Sequence, residues 1–271
     1  REAYALLADI CITEEAALYE HSKNNHGGWS GTRAFVIAKK QPESELVTSF
    51  TLVPVDGKAV MTHKPGQYLG IKVKPAYAQY SEIRQYSISQ QSNGENYRIS
   101  VKKELLAAAG IVSNYLHSLD VGSVVELYPP AGDFFLRANK KPVVLISAGV
   151  GQTPMLAMLQ TLLCDTSNQA VTYLHACENI LQHSFSQFLA EQAAAHTRLN
   201  YYTWFNQGGE GAEFTGLMNV SAVAEQLPLE EGDFYICGPT GFMAAIKQQL
   251  LVLEVAAERI HYEVFGPHQD I

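Results

Sequence analysis

The order of predicted strands and helices changes once along this chain, near the segment Asn139–Pro142. Before it, between Thr32 and Arg137, six short segments rich in β-branched and aromatic residues alternate with turn residues, which predicts a small antiparallel barrel. After it, buried-strand patterns such as "VVLISAG" alternate with helical patterns such as "MLAMLQTLL". That alternation predicts a parallel sheet covered by helices. We therefore expect a β plus α/β fold class, with an antiparallel β-barrel followed by a doubly wound parallel-sheet domain.

One further helix is predicted ahead of the barrel, in residues 1–20, where apolar residues recur mostly every three to four positions. The segment "HSKNNHGGWSG" after it carries Asn and Gly pairs and predicts a linker. The expected boundaries are 1–26 for the helix and linker, 27–138 for the barrel and 139–271 for the α/β domain. The sequence begins without Met, and we expect it to be part of a longer protein.

Composition and charge narrow the classes of partner. The net charge is −8, from 19 Lys+Arg and 27 Asp+Glu, and no basic run occurs, so no nucleic-acid partner is expected. The four cysteines are widely spaced without a CxxC pair, which argues against a metal site and fits a reducing compartment, the cytoplasm. No apolar run approaches the roughly 18–20 residues of a membrane span, and no signal peptide is recognisable. We expect a monomer without a membrane partner.

Two glycine-rich segments follow predicted buried strands. In "SAGVGQTPM", Gly149 and Gly151 allow a tight turn and close approach of a ligand, while Thr153 is the predicted N-cap and Pro154 the first helical residue. "CGPTGFM", Cys237–Met243, repeats this arrangement after a later strand. Ligands of open parallel sheets bind beyond the carboxyl ends of the strands, and helix N-termini bind anions. A nucleotide site is predicted there; the alternative is a pair of tight strand–helix turns.

A third anion site is predicted in the barrel. In "AAGIVSNYL", Gly110 precedes Ser113, the predicted N-cap of a helix "SNYLHSL", so that N–H groups of Val112 and its neighbours would point outward. The strand "RQYSIS" begins with Arg84. A fixed guanidinium and a helix N-terminus together can bind a diphosphate. The alternative for Arg84 is an ordinary surface residue of an edge strand.

Six motifs occur in a fixed order: "PGQY", "RQYS", the "GxxS" segment, "AGVGQTPM", "CGPxGFM" and "HYEVFGPH". Together they resemble the ferredoxin–NADP reductase-like flavoprotein family. "GDFF" and "SAGVGQTPMLAML" resemble in particular the reductase part of bacterial flavohemoglobins. The resemblance covers nearly all 271 residues. It implies an FAD-dependent NAD(P)H oxidoreductase that passes electrons from NADH through FAD to a haem in a globin domain, where nitric oxide and oxygen become nitrate.

The resemblance also implies roles for residues around the flavin. Arg84 would contact the FAD diphosphate, Ser87 would act in catalysis by hydrogen bonding near flavin N5, and Phe265 would cover the flavin face. Ala109 replaces a glycine that family members often carry, which predicts modestly weaker FAD binding. The residues implied to bind FAD are Tyr68, Arg84, Gln85, Tyr86, Ser87, Gly110, Val112, Ser113, Glu263, Phe265, Gly266 and Pro267.

For the dinucleotide, the resemblance places Cys237 beside the nicotinamide as a second catalytic residue. NADH is expected over NADPH, because the strand "VTYLHAC" is followed by Glu178 and no Arg or Lys occurs at positions 172–196 to bind a 2′-phosphate. His175 and His183 could substitute only if protonated, and Arg198 only if it folds over the site. The residues implied to bind the dinucleotide are Ala148, Gly149, Val150, Gly151, Gln152, Thr153, Cys237, Gly238 and Pro239.

The first residues, "YALLADICITEEAALYE", resemble the last globin helix of a flavohemoglobin. Glu15 matches the glutamate that partners the proximal haem histidine, so its implied catalytic role requires the full globin domain; the alternative is a solvated helix carboxylate. No haem is expected in this chain itself. Two other functions stay open: a free-standing flavin reductase serving ferric complexes or an electron-transfer protein, and a nucleotide-binding sensor without turnover.

Overall fold

The computed structural model describes residues 25–75, 78–105 and 110–265. The predicted N-terminal helix with Glu15, the departure at Ala109, and Gly266 and Pro267 lie outside the described residues. Within them, the chain forms twelve strands and four α-helices, which fall into two consecutive blocks. The strands are β1 (Arg33–Pro42), β2 (Val47–Pro54), β3 (Tyr68–Val73), β4 (Glu82–Ser87), β5 (Tyr97–Lys102), β6 (Val124–Leu127), β7 (Val143–Ala148), β8 (Val171–Cys177), β9 (Leu199–Phe205), β10 (Phe214–Thr215), β11 (Asp233–Cys237) and β12 (Ile260–Glu263).

The helices follow the same division, one in the first block and three in the second. They are α1 (Ile111–Ser118), α2 (Gln152–Cys164), α3 (Ser186–Ala195) and α4 (Thr240–Val252), with short 3₁₀ helices at Gly149–Gly151, Ile180–Gln182, Val220–Gln226 and Ala257–Arg259. None of the helices in the described residues has the length and apolarity needed to cross a bilayer.

The first six strands form an antiparallel sheet in the order β4-β3-β6-β1-β2-β5. An isolated bridge between Ile88 and Ile99 joins the two edges and closes the sheet into the predicted barrel. Its interior is filled by alternate side chains such as Phe35 and Phe50, which are fully buried, as the two-residue period of a strand requires. Trp29, from the predicted linker, packs into this core, and its Nε1 donates to the Leu127 carbonyl at 3.0 Å.

The second six strands form a sheet in the order β10-β9-β8-β7-β11-β12, with every pair parallel. β7 is buried along almost its whole length because helices cover both faces. Leu145 packs with α2 and α3, whereas its neighbour Ile146 packs with α4. The strand order reverses at β7, which has β8 on one side and β11 on the other, so a ligand crevice is expected at the carboxyl ends of β7 and β11.

The helix starts differ from the predicted ones. α1 begins at Ile111 with Gly110 as its N-cap, so Ser113 is the third helical residue and donates its hydroxyl to the Gly110 carbonyl at 3.2 Å. α2 begins at Gln152, directly after the 3₁₀ turn, so Thr153 is not the N-cap and Pro154 is not the first residue. A glycine is the N-cap of both helices, where a residue with a side-chain hydroxyl was expected. The two-residue strand β10 was not predicted.

Candidate functional site

Two adjoining clefts open where the barrel meets the parallel sheet. The larger has a volume of about 490 Å³ and is lined by the end of β4, by β5, by the start of α1, and by Val150, Thr153 and Phe265. The smaller, of about 350 Å³, is lined by Tyr68, β4 and the segment 263–265. Volumes of this size are typical of ligand sites. The described residues that the resemblance assigned to FAD, ten in number, all line one or both clefts.

The start of α1 gives the larger cleft a group of free backbone donors. The Asn114 N–H is the first to find a helical acceptor, the Gly110 carbonyl at 2.9 Å, so the three N–H groups before it have no partner within the helix. Gly110 has φ of 77°, and a Cβ there would lie 2.6 Å from Glu104 Cβ, so this turn suits glycine alone. An anion such as a phosphate fits these donors.

Arg84 lies on β4 beside this helix start and lines both clefts. Its Nη1 donates to the Ile83 carbonyl at 2.7 Å and lies 3.2 Å from Glu82 Oε2. The side chain is 55% exposed, so most of its donors face outward and are available to a second anion.

Two buried oxygens in these clefts have no hydrogen-bond partner among the residues that the structure describes. Ser87 Oγ, from the end of β4, lines both clefts, and Glu263 Oε2, from the end of β12, lines the smaller one. Burial raises the pKa of the Glu263 carboxyl to about 7. Unsatisfied buried polar atoms are uncommon in proteins, so a bound ligand is the natural partner for these two.

Aromatic side chains complete the cleft walls. Burial first, and then the nearby Glu263 and Asp133 carboxyls, raise the pKa of Tyr68, while burial also raises that of Tyr86. Gly132 of the "GDFF" segment packs directly against Tyr68, since a Cβ on Gly132 would lie 2.8 Å from the Tyr68 ring. Phe265 is 47% exposed at the rim.

The dinucleotide loops lie at the reversal point of the parallel sheet, and they touch one another. A Cβ on Gly151 would overlap the Cys237 carbonyl oxygen, and one on Gly238 would lie 3.1 Å from Ala148 Cβ. Of this predicted set, Val150 and Thr153 line the larger cleft and thus face the predicted flavin residues. The remaining members, Ala148, Gly149, Gly151, Gln152, Cys237, Gly238 and Pro239, do not line it.

Cys237 has no exposed surface, and burial is the main cause that raises the pKa of its thiol well above the usual value. The thiol is therefore protonated at neutral pH and packs within the core beneath α2. This geometry does not support a thiolate role; the contact that Cys237 makes toward the other loop comes from its backbone.

The residues around the end of β8 are those on which the preference for NADH was predicted. Glu178 accepts from Asn206 Nδ2 at 3.1 Å. Arg198 precedes β9, at the amino ends of the parallel strands and away from the carboxyl ends where the ligand is expected. It donates to the carbonyls of Leu162 and Leu163 at 2.8 and 3.0 Å, so it does not fold over the site. Burial, the largest cause in each case, lowers the pKa of His175 to about 3 and of His183 to about 4, so both are neutral at pH 7.

Several cleft residues were missed from the sequence. Ser100, Lys102 and Glu104 line the larger cleft from β5 and the residues after it. Their spacing of two residues, which places side chains of an extended segment on one face, was the available signal in the sequence. Among the described residues, no cluster of three or more His, Cys, Asp or Glu could hold a metal ion.

Comparison with known proteins agrees with this geometry. Residues 34–136 match the family described as "Oxidoreductase FAD-binding domain", and residues 145–248 match "Oxidoreductase NAD-binding domain". The flavohemoprotein of Vibrio cholerae serotype O1 is 49% identical over 272 residues, which cover 99% of this chain and 68% of that protein. These matches confirm the predicted order of an FAD-binding half followed by an NAD-binding half.

Solved structures give the same result. The FAD/NAD-binding domain of nitric oxide dioxygenase from Vibrio cholerae O1 biovar El Tor is 50% identical, with a TM-score of 0.82 over 87% of this chain and 99% of that one. A flavohemoglobin from Malassezia yamatoensis, solved with bound FAD and heme, is 25% identical with a TM-score of 0.84 over 98% of this chain and 67% of that one. The fold class predicted from the sequence is confirmed.

Proposed function

Because the chain belongs to the flavohemoprotein family and is an NAD(P)H-dependent FAD oxidoreductase, we propose that it takes electrons from NADH and passes them through FAD to the haem of a globin domain. In the complete protein this electron supply would support nitric oxide dioxygenation, the activity that the Vibrio cholerae relative is named for. The observation that carries the proposal is the larger cleft, where the predicted flavin residues face Val150 and Thr153 of the dinucleotide loop.

The residues of the clefts fit FAD. The free N–H groups at the start of α1 and the outward guanidinium of Arg84 would bind its diphosphate, with Gly110, Val112 and Ser113 forming the turn. The unpartnered hydroxyl of Ser87 would donate a hydrogen bond to a ring nitrogen of the flavin. When bound, FAD supplies the conversion of a two-electron donor into single electrons.

The other cleft residues have positioning roles in this proposal. Tyr86 packs against the barrel core and would support the ring system, with Gln85 beside it. Tyr68 and the protonatable Glu263 would flank it in the smaller cleft, and Phe265 would cover the face that the nicotinamide must reach. Since the Glu263 carboxyl has a pKa of about 7, it can hold or release a proton near that face at neutral pH.

On the dinucleotide side, the start of α2 and the interlocked loops would bind the pyrophosphate, and Cys237 would place its backbone beside the nicotinamide. Glu178 would accept the ribose hydroxyls and repel a 2′-phosphate, so NADH is the proposed donor. The described cysteines Cys164, Cys177 and Cys237 are free thiols, which supports a reducing cytoplasmic location.

Purified protein incubated with FAD tests this proposal. We expect a yellow protein that oxidises NADH with an artificial one-electron acceptor and shows flavin bands without a stoichiometric haem band. Ser87→Ala is expected to retain FAD but to lower the rate of flavin reduction by roughly tenfold or more, the effect of one lost hydrogen bond at a reacting group. A colourless protein that takes up no FAD would refute the proposal.

A further inference from the structure

The loop between β8 and α3 crosses from the parallel sheet to the barrel. We call Asn179–Phe185 the strap. It starts next to Glu178, beyond the carboxyl end of β8 where the dinucleotide is proposed to bind, and ends at Phe185, directly before α3. Its far end lies against residues 43–46, which connect β1 and β2 of the barrel.

Three contacts join the strap to the barrel. Ser184 Oγ donates to Ser44 Oγ at 2.8 Å, and Ser184 is buried. The backbone N–H of Glu45 donates to the Leu181 carbonyl at 3.0 Å. The Arg98 guanidinium lies 5.5 Å from the centroid of the Phe185 ring, within the range of a cation–π interaction.

The strap is held in one conformation on its own side. Asn179 Oδ1 accepts from the backbone N–H groups of Leu181 and Gln182, at 3.0 and 3.3 Å. His183 hydrogen-bonds through Nε2 to Tyr201 OH at 2.6 Å. Phe185 has φ of 58°, a left-handed backbone conformation. This conformation is unfavourable in free energy for a residue other than glycine, and it persists only where the surrounding structure enforces it.

The barrel side is equally fixed. Ser44 Oγ also accepts from the Val47 N–H at 3.2 Å, which ties it to the start of β2. The Nε of Arg98 donates to Ser89 Oγ at 3.1 Å, and a second guanidinium nitrogen donates to the Ser89 carbonyl. Two rigid surfaces joined by short contacts set one relative orientation of the two halves.

We propose that the strap positions the dinucleotide half against the flavin half and thereby sets the distance between the nicotinamide and the flavin. This rests on the proposed function. Ser44, Ser184 and Phe185 are positioning residues, since none of them lines the clefts. Hydride transfer requires the reacting atoms to lie about 3–3.5 Å apart, and a displacement of about 1 Å can lower the rate by roughly a hundredfold.

The test is a variant that carries Ser44→Ala, Ser184→Ala and Phe185→Leu, which removes the side-chain contacts while keeping the core volume close to its original value. Gln187→Ala is the matched control, since Gln187 is exposed and its hydrogen bond to Glu191 stays within α3. The first measurement is hydrogen exchange of the Glu45 amide, which the strap protects whether or not a cofactor is bound. The second is the limiting rate of flavin reduction at saturating NADH, normalised to FAD content.

We expect the triple variant to exchange the Glu45 amide at least about tenfold faster and to reduce its flavin at least about tenfold more slowly, with the Kd for NADH changed by less than about threefold. A Ser44→Cys, Ser184→Cys variant, closed as a disulfide, is expected to keep the limiting rate within about twofold of the unaltered protein.

An unprotected Glu45 amide in the unaltered protein would overturn the proposal. So would an unchanged limiting rate in a triple variant whose Glu45 amide exchanges freely, or a disulfide that abolishes flavin reduction. Failure of the unaltered protein to bind FAD would contradict the proposed function instead. The exchange rate of the Glu45 amide would then still test whether the strap contacts the barrel.

Discussion

Gly151 is the position at which the two glycine-rich loops of the parallel sheet touch. Its φ and ψ of −61° and −9° suit any residue, so the backbone itself would accept alanine. A Cβ, however, would overlap the Cys237 carbonyl oxygen and lie 2.5 Å from the Cys237 carbonyl carbon and 2.7 Å from Gly238 Cα. These are backbone atoms at the end of β11, which cannot rotate away as a side chain can.

Gly151→Ala must therefore push the loops apart. Ordinary carbon contacts begin at 3.4 Å, so a contact of 2.5 Å requires a movement of almost 1 Å. Overpacking of this kind costs about 1–3 kcal/mol. That cost lowers the free energy of unfolding, and we expect NADH affinity to fall by more than about twofold as well, because the displaced loops are those proposed to bind the dinucleotide. The limiting rate of flavin reduction should fall as well, because the nicotinamide is displaced.

The assay is stopped-flow flavin reduction over a range of NADH concentrations, with FAD content and Tm measured on the same samples. FAD content is expected to stay unchanged, because Gly151 lies in the dinucleotide half. Gly241→Ala is the control: Gly241 lies in the first turn of α4, and a Cβ there would have no neighbour within 4 Å in the described part of the chain. That variant is expected to be neutral or more stable by about 0.5–1 kcal/mol. The steric argument would be refuted if Gly151→Ala kept both its NADH affinity and its rate of flavin reduction within twofold of the unaltered protein.

Three further predictions follow from the charges and burial. Arg84→Ala should lower FAD affinity at least about tenfold, since hydrogen bonds to charged groups contribute about 1.5–3 kcal/mol; unchanged flavin occupancy after dialysis would return Arg84 to an ordinary surface residue. NADH should give the higher kcat/KM at about pH 7.5, because Glu178 repels a 2′-phosphate and His175 and His183 are neutral; equal values would contradict this assignment. Those two histidines take up protons below about pH 6.5 only when unfolded, so the free energy of unfolding should fall toward pH 4 by about 1.4 kcal/mol per pH unit for each histidine; urea unfolding with no pH dependence there would disprove it.

The fold was predictable where one physical signal dominates. The apolar run "VVLISAG" contains β7, because a strand buried on both faces is apolar along most of its length. The helix starts were predicted wrongly, since a hydroxyl residue is the usual N-cap, whereas Gly110 and Gly151 take that position here. Close approach explains the choice of glycine, and close approach depends on residues far away in the sequence, such as Cys237 beside Gly151.

Of the site itself, residue identity was predictable but exposure was not. Cys237 shares a motif with Gly238, yet its side chain is buried and only its backbone reaches the other loop. Arg198 was a candidate to bind a 2′-phosphate, but it contacts α2 carbonyls at the amino ends of the parallel strands, away from the expected ligand crevice. Neither result follows from local sequence, because both depend on how the sheet is packed.

The unsatisfied groups give an argument for the site that does not depend on motifs. Ser87 Oγ and Glu263 Oε2 come from different sheets, one from β4 of the barrel and one from β12 of the parallel sheet, yet both line the smaller cleft. A buried hydroxyl or carboxyl without a partner costs about 1–3 kcal/mol, so a fold that keeps two of them at one place loses stability there. A ligand with polar atoms on two sides recovers that loss, and it does so only while the two halves keep their relative orientation. The proposed role of the strap therefore also concerns the clefts. Hydrogen bonds from Ser87 and Glu263 to one ligand keep their geometry only if the contact between the two sheets keeps its geometry.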